Sequence, residues 1–304
     1  MPACGVRPVG GARALQGIAL MVGAVACFAA LDTLTKIAGA AVPVVMALWL
    51  RYLVQAALTG AVLLPARGRA LLRTRRPLLQ GVRAVAMVLS SGCAFFSLQV
   101  LPVGEFTAVV SLTPLVMALA AAATLGERVS AMRWLCLLTG FAGALVVIRP
   151  DAGLQPAMLL PLGAVLCNAV YQLLTSVLTR ADGAGTTHFY TGCVATVLLS
   201  VALPFGWTSQ LTVWHWCLLA GMALAGSAGH MLLVLAYARA PVSLLTPYLY
   251  LQIAFAMVGG WLAFAYLPDT WSVLGVALIA ASGVGGTVAA ARERALPARP
   301  VGAT

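Results

Sequence analysis

The sequence contains little charge for its length. Of its 304 residues only 8% are Asp, Glu, Lys or Arg, whereas about 25% is usual for a soluble domain. Hydrophobic residues make up 62% of the chain, and the mean hydropathy is +1.02. So few charges cannot cover a water-facing surface, which excludes a soluble enzyme or a soluble binding domain. We therefore predict an integral membrane protein that meets the lipid bilayer over most of its surface.

The residue types that build catalytic and metal centres are also scarce. The chain has seven acidic residues and three histidines, and its seven cysteines show no CxxC spacing. A membrane enzyme needs a clustered nucleophile, metal set or acid–base pair, and no such cluster is evident in the sequence. We predict no catalytic residues, no metal and no cofactor, with the cysteines acting as small buried hydrophobes.

What is abundant is apolar sequence of membrane-spanning length. About 20 apolar residues cross a bilayer whose hydrocarbon core is roughly 30 Å thick. The chain offers ten such stretches with short connections between them, so we predict an all-α integral membrane protein with ten transmembrane helices. The predicted spans are 15–38, 43–65, 78–100, 103–125, 131–149, 156–179, 185–205, 212–238, 241–267 and 271–290.

The net charge of +11 is explained by where the arginines lie. With a cytoplasmic N-terminus, the run RGRALLRTRR (67–76) and the other basic loops all fall inside, while the outer loops hold only Arg149. Such a bias fixes the orientation of membrane proteins. It predicts a multi-pass inner-membrane protein with both termini in the cytoplasm, and it removes the reason to expect a nucleic-acid partner.

The chain also repeats itself. Residues 23–35, GAVACFAALDTLT, are echoed by residues 163–175, GAVLCNAVYQLLT, and Pro102 corresponds to Pro241 at nearly the same offset. We predict two repeats, 1–150 with helices one to five and 151–304 with helices six to ten and a short cytoplasmic tail. Five is an odd number, so the repeats cross the membrane in opposite senses. Inverted repeats are typical of carriers that work by alternating access and favour transport over a channel.

The motifs LPVGEFTAVVSLTPLVMALAAAATLGERVS (101–130) and ARAPVSLLTPYLYLQIAFAMVGGWLAFAYLPD (238–269) resemble the drug/metabolite transporter superfamily, specifically its ten-helix branch with two EamA domains. The resemblance implies a secondary carrier of a small metabolite, coupled to a proton or a counter-substrate or to neither. FAALDTLTK in the first helix looks like the riboflavin-type and S-adenosylmethionine-type importers. An exporter of an amino-acid-like metabolite, metallophore or drug is the alternative. Tyr266 stands where the first copy has Glu127, so a role for that acid is not duplicated.

Charged side chains inside spans are costly and mark functional sites by default. Asp32 and Lys36 share one helical face, and Arg51 and Glu105 lie at a comparable depth on the outer side. We predict that these four residues line the substrate path. Snorkelling of Lys36, an ion pair of Arg51 and helix capping by Glu105 stay open as alternatives. Arg83 is expected to snorkel to the cytoplasmic surface.

Neutral polar residues complete the predicted site. Asn168, Tyr171 and Gln172 lie on the sixth helix at positions that correspond to the Asp32 face of the first. Asp32 and His230 are the candidates for proton coupling, although a packing role is favoured for the histidine. We therefore predict a central polar path between the two repeats.

Two prolines are expected to interrupt helices near this path. Pro114 and Pro247 lie within the fourth and ninth spans, where proline removes an amide donor and frees a carbonyl group. Tyr248 and Gln252 follow Pro247 at i,i+4 spacing. We predict that they contact the solute, with interhelical packing as the alternative.

Overall fold

A computed structural model describes residues 11–38, 41–100, 109–127, 129–149, 156–265 and 269–295. These residues form α-helices and short 3-10 segments. The helices are α1 (Gly11–Ala38), α2 (Val44–Arg67), α3 (Pro77–Val100), α4 (Thr113–Leu125), α5 (Ala131–Ile148), α6 (Leu159–Ala181), α7 (Ala184–Ala202), α8 (Val213–Arg239), α9 (Val242–Phe264) and α10 (Thr270–Ala295).

Each segment predicted to span the membrane contains helix. Eight helices within the described residues are long and apolar enough to cross a membrane, and shorter apolar helices occupy Thr113–Leu125 and Thr270–Gly286. At about 1.5 Å per residue, the 24 residues of α2 reach farther than the hydrocarbon core is thick. The predicted all-helical membrane architecture is therefore confirmed at this level.

The helices pack in a defined set of pairs. The most extensive contacts join α1 to α8, α3 to α6, α2 to α7 and α5 to α10. Further contacts join α1 to α9, α4 to α6, α2 to α8 and α3 to α7. The largest hydrophobic cluster lies where α1, α6, α8 and α9 meet and includes Met21, Val25, Tyr171, Tyr237 and Tyr248. All eight of these helix pairs join one half of the chain to the other.

Small residues bring the backbones of α5 and α10 together. A Cβ atom added to Gly143 would lie 2.7 Å from the carbonyl oxygen of Gly275, and one added to Gly275 would lie 2.6 Å from that of Gly143. Membrane helices associate closely through such small residues. The approach is reciprocal, so neither glycine can be enlarged without separating the helices.

Both predicted proline breaks coincide with irregular backbone. Pro114 lies in the first turn of α4, directly after a turn at residues 111–112. The helix α9 consists of a short α-helical stretch, Val242–Leu245, a 3-10 segment, Thr246–Tyr250, and an α-helix, Leu251–Phe264. Pro247 lies in the 3-10 segment, where its missing amide donor costs no α-helical hydrogen bond.

The C-terminal ends of α4 and α9 share one backbone conformation. Gly126 and Ala265 both cap their helices in the left-handed region, with φ of 65° and 54°. The next residue after Gly126 closes the other end of α9, because the Glu127 carboxylate accepts hydrogen bonds from the amides of Val242 at 3.2 Å and Ser243 at 2.8 Å. The first half of the chain thus caps the broken helix of the second.

Candidate translocation site

Asp32 joins α1 to the broken helix of the other half. Its side chain is exposed, and Oδ2 accepts a hydrogen bond from Nε2 of Gln252 at 2.8 Å. One helical turn later the Lys36 ammonium lies 4.9 Å from the ring centroid of Phe264. Both predicted charges therefore face α9, and a predicted partner, Gln252, reaches one of them.

Arg51 lies on α2 within electrostatic range of Asp32, but the two do not form an ion pair. The guanidinium donates to the Tyr52 hydroxyl at 2.7 Å and lies over the Tyr52 ring at 4.6 Å. Its Nε is buried without a hydrogen-bond partner. The Arg51 chain passes so close to Gly226 that a Cβ there would lie 2.6 Å from Cδ. Arg51 is therefore half-buried and has at least one N–H donor that is not used in a hydrogen bond.

The middle of the bundle holds an aromatic and imidazole cluster. The Tyr171 hydroxyl and His230 Nδ1 are 3.1 Å apart, and their rings meet edge to face at 5.8 Å. Phe28 of α1 also contacts the His230 ring, at 4.9 Å between ring centroids. His230 is 5% exposed. The predicted packing histidine thus also bonds to a residue of the predicted path.

The remaining polar residues of α6 bond to one another and to α8. Nε2 of Gln172 donates to Oδ1 of Asn168 at 3.0 Å, and Oε1 of Gln172 accepts from the Tyr237 hydroxyl. Tyr248 lies against α10, with its hydroxyl 3.5 Å from where a Gly286 Cβ would be. Tyr248 and Gln252 therefore point to different neighbours, because the 3-10 segment between them changes the angular spacing of side chains.

The prediction that Arg83 snorkels outward is wrong. Arg83 is fully buried, and its Nε donates to the Thr175 hydroxyl at 2.6 Å. Nη1 donates to the Thr187 carbonyl at 2.9 Å and to the Thr191 hydroxyl, and Nη2 donates to the Tyr171 hydroxyl at 3.2 Å. A buried charge is tolerated when it is hydrogen-bonded, and α6 and α7 supply acceptor oxygens for four of the five N–H groups of the guanidinium. The guanidinium therefore remains inside.

The cluster continues to the predicted cytoplasmic end through Gln80 and Asp182. Gln80 Nε2 lies 3.4 Å from the Thr187 hydroxyl and donates to Asp182 at 3.1 Å. Asp182 also accepts from the Thr74 hydroxyl and from the Arg75 amide at 2.9 Å. Partial burial raises the pKa of Asp182, but these hydrogen bonds outweigh it and hold the pKa below its ordinary value. The carboxylate fixes the turn between α6 and α7 to residues 74–80.

An exposed ion pair marks the opposite rim. Arg149 and Asp269 form a salt bridge with about half of each side chain exposed, and the Ser272 amide donates to Asp269 at 2.9 Å. Hydrogen bonds from Ser272 and from Arg149 lower the pKa of Asp269 to about 2. This pair links the residues that follow the ends of α5 and α9, outside both helices.

The sequence did not reveal the Arg83 cluster. Thr187 and Thr191 are spaced i,i+4 on α7, which was a weak signal of a polar face, but nothing in the sequence pairs them with α3. Glu105 lies outside the described residues. Among the residues that the structure describes, no three His, Cys, Asp or Glu side chains come together as metal ligands.

A family model described as the EamA-like transporter family matches residues 15–149. A riboflavin transporter of Rhizobium johnstonii is 31% identical over 216 residues, which are 70% of each chain. The chain belongs to the EamA-like transporter family. As a member of the drug/metabolite transporter superfamily, it is an integral membrane protein with relatives that are transporters.

Other relatives of this EamA-like chain are named for riboflavin or for pseudopaline. A riboflavin transporter of Vibrio cholerae is 30% identical over 189 residues, which are 60% of this chain and 61% of that protein. A pseudopaline exporter of Pseudomonas aeruginosa is 28% identical over 272 residues, covering 87% of this chain and 93% of the exporter. A crystal structure with 20% sequence identity superposes with a TM-score of 0.77 over 91% of this chain and 98% of its own, which shows the fold alone.

Proposed function

We propose that the protein is a secondary carrier that moves a small polar organic metabolite across the inner membrane by alternating access. It acts without chemistry on the solute and so is not an enzyme. The first candidate substrates are riboflavin-like or S-adenosylmethionine-like solutes, taken up into the cell. Two relatives that are riboflavin transporters support the riboflavin-like class.

The observation that carries this proposal is the pairing of the helices. Each helix of the first half has a counterpart five helices later in the second half. When every helix is replaced by its counterpart, the α1–α8 contact becomes the α6–α3 contact, and the α1–α9 contact becomes the α6–α4 contact. The same replacement turns α2–α8 into α7–α3 and leaves α2–α7 and α5–α10 unchanged. An interchange of this kind supports two five-helix repeats, 1–150 and 151–304, which are inverted if all five helices of each span the membrane. The arginine bias of the loops supports the cytoplasmic placement of both termini.

The proposed substrate site lies between the repeats. It uses Asp32, Lys36 and Arg51 from the first repeat and Gln252 from the second, with the polar face of α6 on the other side. Asp32 accepts from Gln252 across the repeat boundary, and Arg51 has an unused buried Nε. Unsatisfied polarity of this kind within a membrane supports solute binding. Asp32 and His230 are the proposed proton-coupling groups.

Export is the second candidate. The pseudopaline exporter aligns over 87% of this chain and 93% of its own length, so a relative that matches nearly the whole chain is an exporter. An amino-acid-like solute or a metallophore would then leave the cell by the same alternation. The direction of flux distinguishes the two candidates.

Flux into and out of proteoliposomes, with and without a pH gradient, tests the function. We expect saturable, counter-transported flux of riboflavin or another polar metabolite of the panel. Asp32→Asn and Arg51→Ala should each reduce it by at least about tenfold, since the first removes an intramembrane negative charge and the second an intramembrane positive charge. Asp269→Asn, the same chemical change at the exposed rim, should retain flux. Flux that does not saturate would indicate a channel, and full activity in both site variants would contradict the assigned site.

A further inference from the structure

Counterpart positions in α1 and α6 are equally buried toward the N-terminal end of each helix and differ in exposure toward the C-terminal end. The alanines 24, 29, 164 and 169 and the valines 25 and 165 are all buried. Asp32, Thr35 and Lys36 are exposed, whereas their counterparts Gln172, Thr175 and Ser176 are 4%, 0% and 1% exposed. In inverted repeats these ends of α1 and α6 lie at opposite faces of the membrane. One face is therefore open beside α1 and the other is closed around α6.

The packing of whole helices has the same asymmetry. In the second half α6, α7 and α8 all pack against one another. Among the described residues, their counterparts α1, α2 and α3 form no comparable contacts with one another. With cytoplasmic termini, the packed group closes the cytoplasmic side and the separated group opens the outer side. The conformation is thus outward-facing.

Arg83 lies at the centre of the closed side. It extends from α3 and is held by α6 through Tyr171 and Thr175, and by α7 through Thr187 and Thr191. No described carboxylate lies within salt-bridge distance of it, so every oxygen it binds belongs to a neutral group. These bonds join three helices at a single side chain. They are lost together if α6 and α7 move away from α3.

We propose that Arg83 is the gating residue of the cytoplasmic side. Its hydrogen bonds to α6 and α7 hold that side closed in the outward-facing state. In the inward-facing state the guanidinium turns to water or to the solute in the opened path. This inference rests on the proposed carrier function and names a residue of its cycle that the substrate site does not contain.

Two cysteine reporters test the proposal in the full-length protein. Ser176→Cys reports on the closed cytoplasmic side, and Thr35→Cys reports on the open outer side. The probe is a membrane-impermeant maleimide, applied to the cytoplasmic face for position 176 and to the outer face for position 35. Peptide mass spectrometry resolves each site from the native cysteines. In the otherwise unchanged protein, position 35 should react readily and position 176 slowly.

Arg83→Gln should shift the two reporters in opposite directions. We expect the rate at position 176 to rise by at least about tenfold and the rate at position 35 to fall, because the population moves toward the inward-facing state. Arg239→Gln is the matched control, since among the described residues Arg239 donates to the Leu235 carbonyl of its own helix and to no other helix. That control should leave both rates within about twofold.

A second variant covers the case in which Arg83→Gln does not fold. Thr175→Val with Thr191→Val keeps the side-chain shapes and removes two of the acceptors, and it should produce the same opposed shift. Unchanged rates in the folded variants would overturn the proposal, and so would a rise at both reporters, which indicates loosening of the fold. Labelling needs no solute, so absent flux with an opposed shift would contradict the carrier function alone. Flux with unchanged labelling would contradict the gate alone.

Discussion

Arg51 and Arg83 are guanidinium groups in adjacent spans of one half, yet their surroundings differ. Arg51 is half-buried, has one hydrogen bond to a side chain and leaves its Nε unpaired. Arg83 is fully buried and donates to four oxygens on two other helices. The arginine with one side-chain hydrogen bond has capacity to bind a solute, whereas the arginine with four hydrogen bonds stabilises contacts between helices. The same residue type therefore has separate proposed roles.

Displacing the Arg51 side chain without replacing it should have the largest effect, and that effect is on transport flux. Gly226→Ala places a methyl group against Cδ of Arg51, and overpacking of this kind costs about 1–3 kcal/mol. If Arg51 positions the solute, flux should fall by roughly ten- to a hundredfold. Gly260→Ala is the control, because nothing lies within 4 Å of a Cβ there. Equal flux in the two variants would show that the Arg51 position is not critical.

Each arginine donates a hydrogen bond to a tyrosine hydroxyl. Removing these hydroxyls one at a time compares how much each hydrogen bond contributes to the stability of the fold. Tyr171→Phe leaves both Nη2 of the buried Arg83 and Nδ1 of the buried His230 without this partner, and an unsatisfied buried group costs about 1–3 kcal/mol. Tyr52→Phe should cost less, about 0.5–1.5 kcal/mol, because the half-buried Arg51 can bind water instead. Thermal unfolding in detergent measures both. A larger loss for Tyr52→Phe would reverse the comparison.

The left-handed caps at the C-terminal ends of α4 and α9 offer a test with a smaller expected effect on stability. Ala265 adopts φ of 54° and Gly126 φ of 65°, and only glycine takes this conformation without steric cost. Ala265→Gly should therefore raise the free energy of unfolding by about 0.5–1 kcal/mol, and Gly126→Ala should lower it by a similar amount. Denaturation of the single and double variants checks both signs. The effects should cancel in the double variant.

The smallest effect should come from the rim carboxylate. The pKa of Asp269 is lowered to about 2 in the folded protein, while an unperturbed aspartate titrates near 4 (about 3.9). Its stabilisation is therefore complete above about pH 4 and is lost as the pH falls toward 2. The difference in melting temperature between the original protein and Asp269→Asn should stay constant from pH 7 to pH 5 and shrink at pH 3. A difference that already disappears near pH 6 would contradict the assigned ion pair.

The helices were predictable because their signal is local. Apolar length placed every described helix, and the repeat at 23–35 and 163–175 indicated which faces of α1 and α6 correspond. The same spacing predicted that Asp32 faces the other half, where Gln252 binds it. Identical positions such as Ala24 and Ala164 are buried alike, since the two copies use them for the same packing.

Contacts between distant helices were not predictable from the same patterns. Charge and depth alone suggested that Arg83 should reach outward, because the sequence did not show that α6 and α7 would place hydroxyl groups around it. The 3-10 segment at Thr246–Tyr250 likewise gave Tyr248 and Gln252 different neighbours, which i,i+4 spacing could not anticipate. Which side of the bundle is open depends on helix packing, and the sequence of either repeat alone contains no sign of it.

The reciprocal approach of Gly143 and Gly275 limits how the last helices of the two halves can move. Each α-carbon lies against the other's carbonyl oxygen, so sliding along the axes would drive larger neighbouring side chains into this contact. A change in crossing angle about the same point keeps both glycines in place. We expect α5 and α10 to stay nearly fixed relative to each other. The remaining helices would then tilt about this pair when the protein changes between the outward-facing and inward-facing states.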